Sequence, residues 1–508
     1  MSPLMDEAPD SRAPQKKEAS EGEKLLHNMF RLLQVVKIHQ ANNKLFSDSV
    51  VAFRQVLMKM WEENSVAAFA LYRGRFYLND TRIVYTPSMW ATSAKMMEYF
   101  QQRNLAGIKF LQWEKLEDKD IVAFMDIFNR AVRQEDPSTW LKEEVKEAFP
   151  WVSFSVDEDM GLSAERAELE ETGAIGRTSI IRGAPSKNLS FIARQTYSQA
   201  LTAMRTIITR ITHGKTAGIQ KAKRAIQELI DLLFDDEAIF LALSSIRDIG
   251  DQLYTHSVNV AILVLGMGHR LGMSRGLLEQ LGICGLFHDL GKVGLDDHFA
   301  KPERLTGDSL DKMQSHSLAG VFNVISLNAS FGLKRLILGP VGEHHMGMDH
   351  SGYPKLMNEQ EPISLFGRLV SVADQYDALT SFRPWRPEPY SPHEALIKLM
   401  ESSGTQLDPV VLKLFVSMLG PWPPGSVLIL DTHEVAMARY TPSTSQALPQ
   451  ARLLHDDGSG GFRAGELVEL SEIDTSTGKF KRNIISSVHP STLNIQPVDY
   501  LLKQSFED

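Results

Sequence analysis

Phe287-His288-Asp289-Leu290-Gly291-Lys292 closes an apolar run that begins at Ile283. Two ionisable residues at such a point would cost several kcal/mol if buried without partners, and metal ligation removes that cost. Outward from it stand His256, His316, the adjacent pair His344-His345 and Asp374, all in segments that read as helices or helix ends. Imidazole suits iron, zinc, nickel and copper, and carboxylate suits harder ions such as manganese, so five histidines with two aspartates fit divalent first-row metals. A catalytic ion leaves a position open for water, which makes seven ligands too many for one centre. Two ions sharing a carboxylate use them better. Such a pair, about 3.5–4 Å apart, can serve an in-line phosphoryl displacement, so phosphoester hydrolysis is the leading reaction class. Lys292, one turn after the pair, falls on the same side of a helix and can donate to a phosphate or to a bridging hydroxide. The isolated histidines His269, His298, His393, His433 and His455 are read as surface or satisfied core residues.

Six blocks follow one another along the chain. They are Tyr254-Thr255-His256-Ser257-Val258; His288 to Lys292; Lys301-Pro302-Glu303-Arg304-Leu305-Thr306 leading to His316 and Gly320; His344-His345; Asp349-His350-Ser351-Gly352-Tyr353-Pro354; and Val372 to Ser381. Together the stretch from Tyr254 to about Trp385 resembles the HD-GYP domain, a subgroup of the HD phosphohydrolases whose members hydrolyse cyclic di-GMP. The resemblance implies that His256, His288, Asp289, His316, His344, His345 and Asp374 hold two divalent ions, iron or manganese, with Asp289 bridging. It also implies that Lys292, Tyr353, Arg383 and Arg386 contact the phosphates and guanine bases, with Asp289 and Lys292 at the chemistry. Arginine offers a planar fork of donors suited to either target, and Pro384 stiffens the loop. Met346 replaces a glutamate of the family pattern, His350 a glycine and Ser317 a proline. Gln252 stands where some members place a glutamate for a third metal, so two metals are expected. Loss of a carboxylate at 346 removes a supporting hydrogen bond, and such losses typically cost 10–100-fold in affinity or activity.

At 508 residues, 43% hydrophobic and 23% charged, the chain has the composition of an ordinary globular protein of about three domains. Its single cysteine, Cys284, excludes internal disulfides and is expected to be buried. The net charge of −9 argues against broad nucleic-acid binding. No signal peptide is evident, and the longest apolar stretch, Val260 to Met267, is far shorter than a bilayer span. No membrane insertion and a cytoplasmic setting are therefore expected. Gly214-Lys215-Thr216 lacks the glycine a phosphate loop needs at 209, which is Thr209, so Lys215, Lys221, Lys223 and Arg224 are read as a solvated helix face.

The expected architecture is mainly α: an α-helical HD-type catalytic domain with an N-terminal α+β domain and a small C-terminal β module. Residues 1–21 read as a disordered tail and 23–151 as a regulatory or sensory α+β domain with a hairpin from Val66 to Tyr72 and Phe76 to Tyr85. Residues 157–187 read as a linker, 189–423 as the catalytic domain with its lead-in helices, and 425–508 as the β module. The helices from Leu189 to Leu243 offer a homodimer surface. Ser391-Pro392-His393-Glu394 is a helix start with a capping box. The expected function is hydrolysis of cyclic di-GMP to linear dinucleotide or GMP. The alternatives are a catalytically weak cyclic-dinucleotide sensor that recruits signalling partners, and a phosphohydrolase for another nucleotide.

Overall fold

The computed structural model describes residues 20–38, 44–72, 75–79, 81–83, 85, 89–155, 187–247, 252–293, 295, 306–355, 362–383, 386, 388–440, 448–458 and 461–502. The chain divides into two compact units, residues 1–182 and 183–508. The expected tail lies outside the described residues up to 19, the linker up to 186, and the Lys301 block up to 305.

The first unit opens with α1 (Glu21–Ile38). Ser20 and Glu23 exchange side-chain to backbone hydrogen bonds at 3.1 and 3.2 Å, a capping box that starts the helix inside the expected tail. Next come α2 (Lys44–Glu63), β1 (Val66–Tyr72), β2 (Arg75–Leu78) and β3 (Thr81–Arg82). The stretch from Phe76 to Tyr85 is not one strand as expected. Asn79, at φ 48°, turns the chain after β2, a conformation asparagine tolerates better than most residues; the Arg73-Gly74 turn lies outside the described residues. Then follow α3 (Trp90–Gln101), β4 (Gly107–Leu111), α4 (Asp118–Arg130), α5 (Pro137–Ala148) and β5 (Val152–Ser155). The sheet is antiparallel throughout in the order β3-β2-β1-β4-β5, so its last strand lies just past the expected domain end. Phe69 stacks on Phe76 at 4.7 Å and Phe110 on Trp151 at 6.0 Å in a core rich in aromatics.

The second unit is built around α9 (Gln252–Arg270), buried from Thr255 to Gly268. Packed on it are α6 (Lys187–Thr212), α7 (Gln220–Asp235), α8 (Glu237–Leu243), α10 (Arg275–Phe287), α14 (Leu365–Thr380) and α16 (Pro409–Leu419). Between α10 and α14 lie α11 (Asp308–Gln314), α12 (His316–Ser326) and α13 (Phe331–Glu343); α15 (Pro392–Glu401) follows α14. Ser391 and Glu394 form the expected capping box, and Cys284 is buried. A 3-10 turn, Leu290–Lys292, follows the His-Asp pair. It presses on α12 so closely that a Cβ at Gly291 would lie 1.8 Å from the His316 carbonyl oxygen. Of the basic cluster, Lys221 is exposed on α7, whereas Lys223 pairs with Glu279 at 3.2 Å.

Five strands complete the unit: β6 (Val427–Leu430), β7 (Val435–Tyr440), β8 (Gln450–Asp456), β9 (Phe462–Glu469) and β10 (Ile484–Val488), ordered β10-β6-β7-β8-β9. A last helix, α17 (Pro497–Leu501), packs on α8 and β7. Val427, Met437 and Leu454 share a core with Ala242 of α8, so this sheet is buried against the helices. Among the described residues no helix is long and apolar enough to cross a membrane.

Candidate metal centre

The seven residues singled out in the sequence converge from five helices. His256 lies within α9 and Asp374 within α14; His288 and His344 cap the C-termini of α10 and α13; His316 opens α12. They form two groups whose ligand atoms lie within 4.8 Å of one another, His256-His288-Asp374 and Asp289-His316-His344-His345. Helix ends explain most of this placement. A side chain leaving the last turn of a helix reaches past the helix into the space where several helix ends meet, and the last carbonyls there need partners.

Those carbonyls are used by the histidines themselves. Nδ1 of His288 meets the Gly285 oxygen at 2.8 Å, that of His316 the Met313 oxygen at 2.6 Å, and that of His344 the Val341 oxygen at 3.0 Å. A carbonyl only accepts, so each Nδ1 carries the proton and each Nε2 offers a lone pair to the interior. His256 Nε2 lies 3.2 Å from His288 Nε2 and 3.0 Å from Asp374 Oδ1, and His316 Nε2 lies 3.3 Å from His344 Nε2. This is the tautomer control that metal-ligating histidines need. His345 differs: its Nδ1 is 3.7 Å from Asp374 Oδ2, its ring lies 4.6 Å from the Tyr353 ring, and among the described residues its hydrogen bond is a backbone one, its oxygen accepting from the Tyr353 N–H at 3.2 Å.

Asp289 spans both groups. Its Oδ2 stands 3.4 Å from both His256 Nε2 and His288 Nε2, and its Oδ1 3.4 and 3.6 Å from Nε2 of His316 and His344. Oδ1 is buried without a hydrogen-bond partner. Such an orphaned carboxylate oxygen is costly unless a cation meets it, so the donor set fits metal. Burial works to raise the Asp289 carboxyl, but Lys292, His288 and His256 outweigh it and hold it well below the usual carboxylate range. Burial works to lower His256, and the carboxylates of Asp289, Asp374 and Asp377 outweigh it, up to about 10.

The proposed substrate contacts divide. Lys292 Nζ donates to Asp289 Oδ2. The Tyr353 phenol is pushed up by burial and by Asp374 and Asp289, so it stays a donor. Gly352, at φ 81°, lets this loop pair with Met346, since a Cβ there would sit 2.1 Å from the His345 oxygen. His350 holds φ 61° where the family pattern has glycine. Arg383 borders a small pocket beside His256 with Arg247, Gln252, Thr255, Ser381 and Phe382. Arg386 instead donates to the carbonyls of Ala378, Leu379 at 3.0 Å and Ser381 at 3.4 Å, capping α14.

Three supporting residues escaped the sequence reading: Asp377, Asn259 and Arg247. Asp377 stands three residues after Asp374 and Asn259 three after His256, on the same helix faces as the ligands. A polar residue within so apolar a helix was the available signal. Glu343 is a fourth. Its Oε2 accepts from the Ser364 backbone N–H at 3.0 Å, joining the end of α13, which carries His344, to the start of α14.

Residues 229–411 match the family model described as HD domain. The relatives it resembles are named as cyclic dinucleotide phosphodiesterases, in keeping with the resemblance of its ordered blocks. A cyclic di-GMP phosphodiesterase of Pseudomonas aeruginosa is 26% identical over 257 residues, 50% of this chain and 61% of that protein. A cyclic di-GMP phosphodiesterase of Thermotoga maritima is 31% identical over 199 residues, covering 39% and 52%. A 3'3'-cGAMP-specific phosphodiesterase of Vibrio cholerae is 30% identical over 151 residues, covering 29% and 34%. The chain thus spans about half to three-fifths of the length of the first two relatives.

Proposed function

We propose that the chain is a metal-dependent phosphodiesterase that hydrolyses cyclic di-GMP. The observation that carries this reading is the Asp289 carboxylate, buried between two groups of inward-turned ligands. His256, His288 and Asp374 would hold one ion and His316, His344 and His345 the other, with Asp289 shared; iron or manganese suits this set. Bound metal supplies an activated water and neutralises developing phosphate charge. The chain's own groups do the rest. Asp289 keeps Lys292 Nζ at the edge of the centre, where an ammonium can meet a phosphate oxygen. Tyr353 offers a hydroxyl donor, and Arg383 lines the pocket beside His256. Residues 23–151 fit a regulatory domain, and α6 leaves Phe191 half exposed on the face proposed for a homodimer, which sedimentation would test.

The test is metal analysis of protein purified without oxygen, joined to turnover of cyclic di-GMP. Two ions per chain are expected, with turnover abolished in Asp289→Ala. One ion or fewer, or full activity in Asp289→Ala, would overturn the reading. A second reading, a sensor that binds with little turnover, draws on His345, whose ring makes no hydrogen bond among the described residues and whose successor is Met346 where the family pattern has an acid. Tight dialysis binding with no product would favour it. Similarity to the 3'3'-cGAMP-specific enzyme makes that dinucleotide the competitor to include.

A further inference from the structure

Four histidines of the centre have Nδ1 held and Nε2 turned inward, but one is held differently. His288, His316 and His344 use the carbonyl three residues back, which is available because each stands at a helix end. His256 lies inside α9, whose carbonyls are engaged by the helix itself. Its Nδ1 is met from α14 by Asp377 Oδ2 at 2.8 Å.

We propose that Asp377 is the positioning residue that makes His256 a metal ligand, and that Asn259 and Arg247 hold Asp377 in place; this rests on the two-metal reading above. Asp377 is fully buried. Its Oδ1 accepts from Asn259 Nδ2 at 3.0 Å and lies 3.2 Å from Arg247 Nη2, and its Oδ2 also accepts from Ser381 Oγ at 3.2 Å. The amide of Asn259 has only one workable orientation. Its nitrogen faces two groups that only accept, Asp377 Oδ1 and the Ile246 oxygen at 3.1 Å, while the Tyr197 hydroxyl meets its oxygen at 2.9 Å.

The clamp continues to the C-terminal sheet. Arg247 donates through Nη2 to Thr380 Oγ1 at 2.8 Å and through Nε to the Thr380 oxygen at 3.3 Å. That same oxygen accepts from His489 Nε2, just past β10, at 3.2 Å. A carboxylate at 377 can only accept, so it keeps the proton on Nδ1 and the lone pair on Nε2. Asparagine could turn its NH2 to Nδ1 and reverse the tautomer.

The test uses the full chain, stripped of metal and titrated with Co2+ without oxygen, reading both affinities and the visible spectrum. Asp377→Asn is expected to weaken one of the two ions by about 10–100-fold and change its spectrum while the other ion binds as in wild type. Asn259→Ala, which removes one support and keeps the carboxylate, is expected to weaken the same ion by less. Should Asp377→Asn not fold, Asn259→Ala decides alone. Equal weakening of both ions would point to a general fold defect and overturn the proposal. Unchanged affinities and spectra in both variants would overturn it too, with the two-metal reading left standing. A wild-type chain that binds fewer than two ions would instead remove that reading, and the inference with it.

Discussion

At the scale of single residues, what decides a role is which atom faces which partner. Arg386 shows this. Its sequence context suggests a phosphate contact; in the fold its Nη2 donates to the last carbonyls of α14 and its guanidinium lies over the Tyr390 ring at 5.2 Å. Burial and the nearby Arg383 hold its pKa below the usual arginine value. Hydrogen bonds from a charged group contribute roughly 1.5–3 kcal/mol, and this guanidinium is only half-buried. Arg386→Ala is therefore expected to destabilise the chain by about 1–2 kcal/mol in urea unfolding. If stability is unchanged and only KM for cyclic di-GMP rises, the arginine is a substrate contact after all. Arg383 is expected to behave in that second way: its loss should raise KM and leave kcat nearly unchanged, as uniform binding predicts.

At the scale of elements, the centre depends on the 3-10 turn after the His-Asp pair lying directly against the start of α12. Gly291 permits it, because any Cβ there would overlap the His316 oxygen, and Gly320 faces the same contact from α12. Overpacking of a tight contact typically costs 1–3 kcal/mol, occasionally more, and here the displaced backbone carries His316. Gly291→Ala is expected to lower Tm and to cost metal at the group containing His316, while Gly276→Ala, at an open position of α10, leaves both unchanged. Equal metal content in the two variants would show that the close approach is not needed for the centre.

At the scale of the whole molecule, metal and pH should act on the second unit. Ligand that binds only the folded state adds about 2.7 kcal/mol at a hundredfold excess over Kd. Calorimetry with and without chelator should therefore move only the transition of residues 183–508. A shift in the transition of residues 1–182 would contradict that division. His489, at the seam between the β module and α14, is held neutral by burial and by Arg247, down to about 4. Between about pH 6.5 and 4 the unfolded chain takes a proton that the folded chain refuses. Stability is then complete above that window and falls as pH drops through it. His489→Gln should flatten this fall in urea titrations run across those pH values.

The amino-acid sequence alone determined the helical character of the second unit, the capping box at Ser391, and the seven candidate ligands with their order along the chain. Those features are local: helical period, cap chemistry and donor type are all written within a few residues. It missed the box at Ser20 only because the charged tail beside it masks the signal. The strand break at Asn79 and the fifth strand at Val152 lay beyond local reading because sheet pairing sets them. The tertiary structure alone decided that the candidate ligands divide into two groups with Asp289 between them and that Arg386 caps a helix. It also decided that Asp377 holds His256. That last contact joins residues 121 apart in the chain, and no local pattern records a partner at such a distance; it arises only when α9 and α14 are packed side by side.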